Sequence, residues 1–309
     1  MQSAYVFAKP HANTTEVRDA ITKKFGEVGI KVLSEGEITG ETIDEKKYID
    51  QHYYAIASKA TILTPDQLNI PTEKFKEQFG EEWADVLKEG RTFNALDVCK
   101  AHFGGDGEAL DKTWAQCKKD KKLIKFGGGF YCGLLGEFDG KKIYTFNAFF
   151  MSMRGAFTRP GTSIHYYVVE FDPAVLKWAD FRGKVLGPTD PADAPADSLR
   201  GIINADWEKL GLKSAPNVGD NGVHASASPF EGFAERTNWL ASEYSAATDP
   251  FGKLLLADGI TEDTLKAWSV DPQVILPGQD GKKGSLFDQV EDMDLDACLA
   301  KCKEINAAQ

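Results

Sequence analysis

Residues 221–228 read Asn-Gly-Val-His-Ala-Ser-Ala-Ser, and Glu235 follows the histidine of this stretch, His224, by eleven residues. The small neighbours leave the imidazole ring uncovered and allow the backbone to approach a ligand closely. Residues 230–239 have the pattern of a helix, so Glu235 is placed to hold one ring nitrogen while the other attacks. The stretch therefore predicts a nucleophilic histidine that is oriented by a carboxylate.

The composition is that of an ordinary globular protein, with 309 residues of which 42% are hydrophobic and 27% charged. This length accommodates two domains, or one domain with large additions. The net charge of −11 argues against a protein that coats nucleic acid, because phosphate backbones require a basic footprint. The same charge requires any phosphate-binding site to gather lysines and arginines locally.

No segment of the sequence has the pattern of a membrane span, a secretory signal or a metal site. The longest apolar runs, such as residues 254–257, are far too short to cross a bilayer, and the N-terminal residues lack a basic region and a cleavage pattern. Five scattered cysteines predict no disulfide framework, so we expect a cytoplasmic location, or one associated with the cytoskeleton. Cys298 and Cys302 belong to the apolar stripe of a predicted helix, and residues 292–296 lack the glycine of a calcium loop.

Local patterns outline the elements that surround the histidine. We predict strands over residues 4–8, 30–38 and 163–171, a helix through 43–56, and a hairpin over 134–146 that turns at Asp139-Gly140. Asp172-Pro173 is expected to open a helix through Trp178, and residues 189–221 are expected to be loop-like. Further helices are predicted near residues 261–270 and from Leu295 onward.

Several dispersed motifs resemble those of nucleoside diphosphate kinases. Residues 221–228 resemble the family's active-site signature, Asn-x-x-His-Gly-Ser-Asp-Ser, and the spacing from His224 to Glu235 is that of the family. The first strand ends at Lys9-Pro10 as the family's does, and His52-Tyr53 matches a His-Tyr pair on its second helix.

The remaining motifs follow in the family's order. Phe149-Phe150 matches a pair whose first ring stacks on the nucleobase, and Phe130-Tyr131 is a weaker match for the same pair. Residues 182–193 resemble a phosphate-binding segment in which Thr189 is in place and either Arg182 or Lys184 fills the basic position. Arg200 of Ser-Leu-Arg-Gly then matches the arginine of the family's Thr-Ile-Arg-Gly.

The resemblance implies an α/β (α+β) protein with a ferredoxin-like βαββαβ core and an antiparallel sheet. Residues 1–56 and 147–240 would form this core, and together they have the size of one ordinary domain. Residues 57–146 would then be an inserted subdomain, and residues 241–309 a C-terminal extension.

The function implied by the resemblance is transfer of the γ-phosphate of a nucleoside triphosphate to a nucleoside diphosphate, by a ping-pong mechanism through phospho-His224. Glu235 and Ser226 would orient and polarise the histidine, and Mg²⁺ would arrive on the nucleotide phosphates. The substrate-binding residues would be Lys9, Tyr53, Phe149, Arg182, Lys184, Thr189, Arg200 and Asn221. A homo-oligomer is also implied, and the insertion and the extension would be the surfaces for protein partners.

Three positions depart from the family pattern. Ala225 and Ala227 replace the signature's glycine and aspartate, and His11 replaces the aspartate that follows Lys-Pro in the family. These departures keep a second function open. The alternative is a catalytically weak or inactive protein of this fold that serves as a structural, cytoskeletal or interaction module.

Overall fold

The computed structural model describes residues 1–309 as a mixed α/β chain with largely antiparallel sheets. Its strands are β1 (Gln2–Ala8), β2 (Lys31–Thr39), β3 (Thr92–Asn94), β4 (Leu123–Gly127), β5 (Phe130–Phe138), β6 (Lys141–Phe146), β7 (Ser163–Phe171), β8 (Val223–Ala225), β9 (Gln273–Ile275) and β10 (Lys283–Ser285).

The helices include several short ones. They are α1 (Thr15–Glu27), α2 (Gly40–Lys46), α3 (Tyr48–His52), α4 (Tyr54–Ala57), α5 (Thr72–Phe79), α6 (Trp83–Lys88), α7 (Ala95–Phe103), α8 (Gly107–Lys119), α9 (Phe150–Thr158), α10 (Trp178–Asp180), α11 (Leu199–Asp206), α12 (Pro229–Trp239), α13 (Pro250–Ala257), α14 (Glu262–Trp268), α15 (Leu286–Val290) and α16 (Leu295–Ala308). No helix is long and apolar enough to cross a membrane.

The chain divides into two compact units. Residues 1–46 and 160–309 form the first unit, and residues 47–159 form the second. The predicted extension, residues 241–309, therefore belongs to the first unit. Residues 47–56 and 147–159, which we had assigned to the core, belong to the second.

Buried polar contacts explain why these two segments join the second unit. The Arg154 guanidinium donates from Nε to the buried Asp50 carboxylate, at 2.9 Å from Oδ1. The Asn147 side-chain amide donates to the Ile56 carbonyl oxygen at 2.9 Å and accepts from the Tyr131 backbone N–H at 2.9 Å. Both segments are thus tied within the second unit by groups that are costly to leave unpaired.

The first unit is built on a four-stranded sheet in the order β2-β7-β1-β8, and every neighbouring pair is antiparallel. The central strand β1 is buried along almost its whole length, whereas the edge strand β2 alternates between exposed and covered residues. Helix α1, capped by the Thr14 hydroxyl, packs Val17, Ile21 and Phe25 into the core. Helix α12 packs on β1 and on the C-terminal helices α13, α15 and α16.

The second unit has its own four-stranded sheet, in the order β3-β6-β5-β4. The β5–β6 hairpin turns at Asp139 and Gly140, as predicted, with φ angles of +52° and +74°. Helix α8 packs on β5 and on helices α7 and α9. Aromatic side chains fill the core of this unit, which needs no contribution from the first sheet.

Candidate active site

His224 lies on the short edge strand β8 of the first unit. It pairs with Phe7 on β1, so the two side chains point to the same face of the sheet. Their rings stack at a centroid distance of 4.7 Å and an interplanar angle of 26°. Gly222, immediately before the strand, has a φ of +90°, and a Cβ there would lie 2.9 Å from Ile203 Cδ1. The strand can therefore approach α11 closely only because this residue is glycine.

Glu235 on α12 holds the histidine directly. His224 Nε2 and Glu235 Oε1 are 2.5 Å apart, and the carboxyl group is 4% exposed. The Ser226 hydroxyl lies 2.5 Å from the other carboxylate oxygen and accepts a hydrogen bond from the Tyr5 backbone N–H at 2.9 Å. Ser226 thus contacts the carboxylate oxygen of Glu235 that does not hold the histidine.

Lys9 and Arg200 come from two different elements. Lys9 directly follows β1 and is 9% exposed, and its Nζ donates to the Gly219 carbonyl oxygen at 3.0 Å. Arg200, on the first turn of α11, donates to the carbonyl oxygens of Val223 and Gly187, at 2.9 and 2.8 Å. Burial, and then the charge of Arg200, lowers the pKa of Lys9 to about 8. Because the charge of Arg200 lowers the pKa of Lys9, the two cations are close enough to repel each other.

The electrostatics keep His224 neutral. Burial lowers its pKa well below the ordinary value, and the charges of Lys9, Arg200 and Arg182 lower it further. Only 16% of the side chain is exposed, so these charges act through little solvent. A neutral imidazole with one nitrogen held by a carboxylate is the protonation state that nucleophilic attack requires.

The structure separates the two candidates for the basic position. The charge of Arg182 helps to lower the pKa of His224. Its guanidinium pairs with Glu291 at 2.7 Å and with Asp292 at 2.8 Å. Lys184, in contrast, is 74% exposed and pairs with Asp180 at 2.9 Å. Arg182 is therefore the better candidate, but two carboxylates of the C-terminal segment already engage its guanidinium.

Asn221 contacts the backbone of Thr189. The buried Asn221 amide donates to the Thr189 backbone carbonyl oxygen at 3.0 Å, while the Thr189 side chain is exposed. The Asn221 Oδ1 atom is buried and lacks a hydrogen-bond partner. Beside them, His11 accepts from the Gly222 backbone N–H at 3.1 Å, which gives this departure from the family pattern a structural role.

Tyr53 and Phe149 belong to the second unit. The Tyr53 ring meets the ring of His52 edge to face at 4.6 Å, and Phe149 contacts Trp114 and Tyr131. The nucleotide-binding roles that the resemblance implies for Tyr53 and Phe149 remain predictions.

Comparisons with known proteins give matches among solved structures and no family assignment. No protein-family model and no curated protein matches the sequence. Solved structures that match include a nucleoside diphosphate kinase from Encephalitozoon cuniculi, at 11% identity and a TM-score of 0.37, covering 81% of this chain and 93% of that one. An NDP kinase from Pyrobaculum aerophilum matches at 16% identity and a TM-score of 0.35, covering 77% and 94%. Because both TM-scores are below 0.5, we base no argument about fold or function on these matches.

Two features of the site were missed in the sequence. Glu231 lies one helical turn before Glu235 and accepts from the Ala227 backbone N–H at 2.6 Å. Burial, and then the neighbouring charge of Glu235, raises the pKa of Glu231 to about 8. The i, i+4 spacing of the two glutamates was the available signal. The second feature, the contact of Glu291 and Asp292 with Arg182, had no local signal, because it spans more than a hundred residues.

Proposed function

We propose that the first unit has a ferredoxin-like core of the nucleoside diphosphate kinase type and moves a phosphoryl group through His224. One observation carries this proposal: a neutral histidine is held at Nε2 by a buried glutamate, within the field of three cationic side chains. Phosphoryl transfer depends mainly on positioning and on positive charge around the phosphate oxygens. The order β-α-β-β-α-β of β1, α1, β2, β7, α11 and β8 supports the proposed core.

In the first half-reaction, His224 Nδ1 attacks the γ-phosphorus of a nucleoside triphosphate. A P–N bond forms, the bond from phosphorus to the β–γ bridging oxygen breaks, and a nucleoside diphosphate leaves with that oxygen. The positive charge that develops on the ring is balanced by Glu235, which also fixes the tautomer. In the second half-reaction, a terminal oxygen of another nucleoside diphosphate attacks the phosphorus, and His224 returns to its neutral form.

The surrounding residues would bind the phosphates. Lys9 and Arg200 would face the oxygens of the transferred group, and Asn221 would bind the ribose or the end of the phosphate chain. Mg²⁺ would arrive coordinated by the nucleotide phosphates, as is usual for this ion. Arg182 would have to exchange Glu291 and Asp292 for phosphate, which we expect to weaken binding.

That last contact supports the second candidate, a weakly active or inactive interaction module. An arginine that is already neutralised by two carboxylates offers less attraction to a polyanion. Ala227, where the signature has aspartate, points in the same direction.

A labelling experiment distinguishes the two candidates. The full chain is incubated with γ-labelled MgATP, and the protein is then tested for label that acid releases and alkali does not, as expected for a phosphohistidine. Excess unlabelled nucleoside diphosphate should then remove the label and yield labelled triphosphate. No label at micromolar protein would contradict the kinase proposal. Label that the diphosphate cannot remove would contradict the ping-pong transfer.

We expect the alkaline limb of kcat/KM for MgATP to report Lys9. Its pKa of about 8 means that the side chain is charged below this pH and neutral above it, so phosphate capture should weaken as the pH rises through 8. In Lys9→Arg the guanidinium stays charged throughout this range. The measurement is the position of the limb in the two proteins, and an identical limb near pH 8 in both would contradict the assignment.

A further inference from the structure

The second unit contains a cavity of about 530 Å³ next to helix α8. Trp114 and Lys118 of α8 line it, together with Leu123 and Lys125 of β4, Tyr131 of β5 and Phe149 just before α9. This volume is within the range of sites that bind small molecules, which are mostly apolar with a few polar groups. All of these residues belong to the second unit, and His224 does not.

The aromatic walls of this cavity are set by close packing. Phe149 lies 6.4 Å from Trp114, with the planes at 47°, and 6.0 Å from Tyr131 with the planes perpendicular. The Trp114 ring rests against Gly133 of β5, where a Cβ would lie 2.6 Å from Cζ3. A glycine at this position of the strand thus allows the indole to lie against the backbone and form a fixed wall. Rings in several orientations provide stacking and edge contacts for a flat apolar body.

The charges of the lining exclude a cationic ligand. Lys118 and Lys125 are the charged residues among the lining side chains, and both are exposed. Lys125 Nζ also lies 5.6 Å from the centre of the Tyr131 ring. The lining contains two lysines and no carboxylate. The cavity is therefore locally positive, although the chain as a whole has a net charge of −11.

The lining also disfavours a nucleotide as the ligand. A nucleobase and a ribose carry many polar atoms, and each would lose water on entering the cavity. Apart from the two ammonium groups, the side chains of the lining offer the Tyr131 hydroxyl and the indole N–H of Trp114 as polar partners. The lining therefore complements an apolar ring system with a single acidic group better than it complements a nucleobase with polar edges.

We propose that this cavity binds a small aromatic or polycyclic acid, that is, an aryl carboxylate or sulfonate. Its rings lie among Trp114, Tyr131 and Phe149, and its acidic group lies between Lys118 and Lys125.

The probe for the test is anilinonaphthalene sulfonate, an aromatic sulfonate that becomes fluorescent in apolar surroundings, added to the full chain. We expect saturable binding at one site per chain. Replacing both lysines, in Lys118→Gln/Lys125→Gln, should weaken the affinity about tenfold, because two charge-assisted contacts are lost. The matched control is Lys119→Gln/Lys121→Gln, which alters exposed neighbours that do not line the cavity and should leave the affinity unchanged.

An uncharged analogue, phenylnaphthylamine, separates the charge from the apolar contact. It should bind more weakly than the sulfonate and be insensitive to the loss of the two lysines, whereas Phe149→Ala should weaken both probes. Equal sulfonate affinity in the wild type and the double lysine variant would overturn the proposal. Displacement of the sulfonate by ATP at matching affinity would overturn it too, by making the cavity a nucleotide subsite.

Discussion

His224→Asn is expected to lose the acid-labile label and to slow phosphoryl transfer by about a thousandfold or more, because asparagine has no nucleophilic ring nitrogen. The change is chosen to spare the fold. Asparagine keeps a polar side chain on β8 that can still meet Glu235, although the stacking on Phe7 is lost. The measurements are the label per chain after incubation with γ-labelled MgATP and the steady-state rate with a nucleoside diphosphate acceptor.

His165→Asn is the matched control. His165 lies on β7 of the same sheet, is largely covered and contacts Glu35 at 3.6 Å, so its replacement tests for general damage to the sheet. Label and rate should be close to wild type in this variant. Retention of full label in His224→Asn, with either result for the control, would show that another residue accepts the phosphoryl group.

Asp249→Asn is expected to lower the free energy of unfolding by about 3–5 kcal/mol, because it leaves a buried guanidinium without its counter-charge. Arg236 and Asp249 are both fully buried, and Arg236 donates to the two carboxylate oxygens at 2.6 and 3.1 Å. The amide oxygen of asparagine can still accept from the Phe251 and Gly252 N–H groups that Asp249 caps. The substitution therefore removes the negative charge and keeps the helix cap.

Urea unfolding measures this effect as a lower midpoint with an unchanged slope. Asp206→Asn is the control, since Asp206 pairs with Lys209 on the surface and its loss should cost less than about 1 kcal/mol. Similar midpoints for the two variants would contradict the importance of the buried pair. Because Arg236 follows Glu235 on α12 and also donates to the Ser3 carbonyl oxygen, the same pair anchors the helix that carries Glu235.

Much of the fold could be predicted because its signals are local. The strand that ends at Lys9-Pro10, the strand over residues 163–171 and the turn at Asp139-Gly140 follow from side-chain pattern and turn chemistry. The helices at residues 262–268 and 295–308 also lie where the pattern placed them. These elements need no information about the rest of the chain.

Three local predictions were wrong because context decided them. The helix expected over residues 43–56 is broken at Lys47, which has a φ of +54°, and again at Tyr53. Asp172-Pro173 opens only a turn, and the helix begins at Trp178. Residues 189–221 are not all loop, because Leu199 and Ile203 are buried on one face of α11.

The site was predictable where residues follow a motif and hidden where they do not. The contact between His224 and Glu235 follows from a spacing of eleven residues with a helix between them. The choice of Arg182 over Lys184 required the folded surroundings, since both are ordinary basic residues in sequence. Tyr53 and Phe149 belong to the second unit, in which the buried Asp50–Arg154 pair joins their two segments. No sequence motif predicts this pair.

The pairing of β2 with β7 has a consequence for the assembly of the first sheet. Thr39 at the end of β2 lies opposite Ser163 at the start of β7, and the Gly40 N–H donates to the Thr162 carbonyl oxygen at 2.7 Å. Strands β2 and β7 thus form a hairpin, and the whole second unit, residues 47–159, lies within the connection between them. The entropy of closing a connection grows only with the logarithm of its length, so a sheet can tolerate a complete folded unit in place of a short turn. A two-residue turn joining these strands would be the minimal form of the same fold.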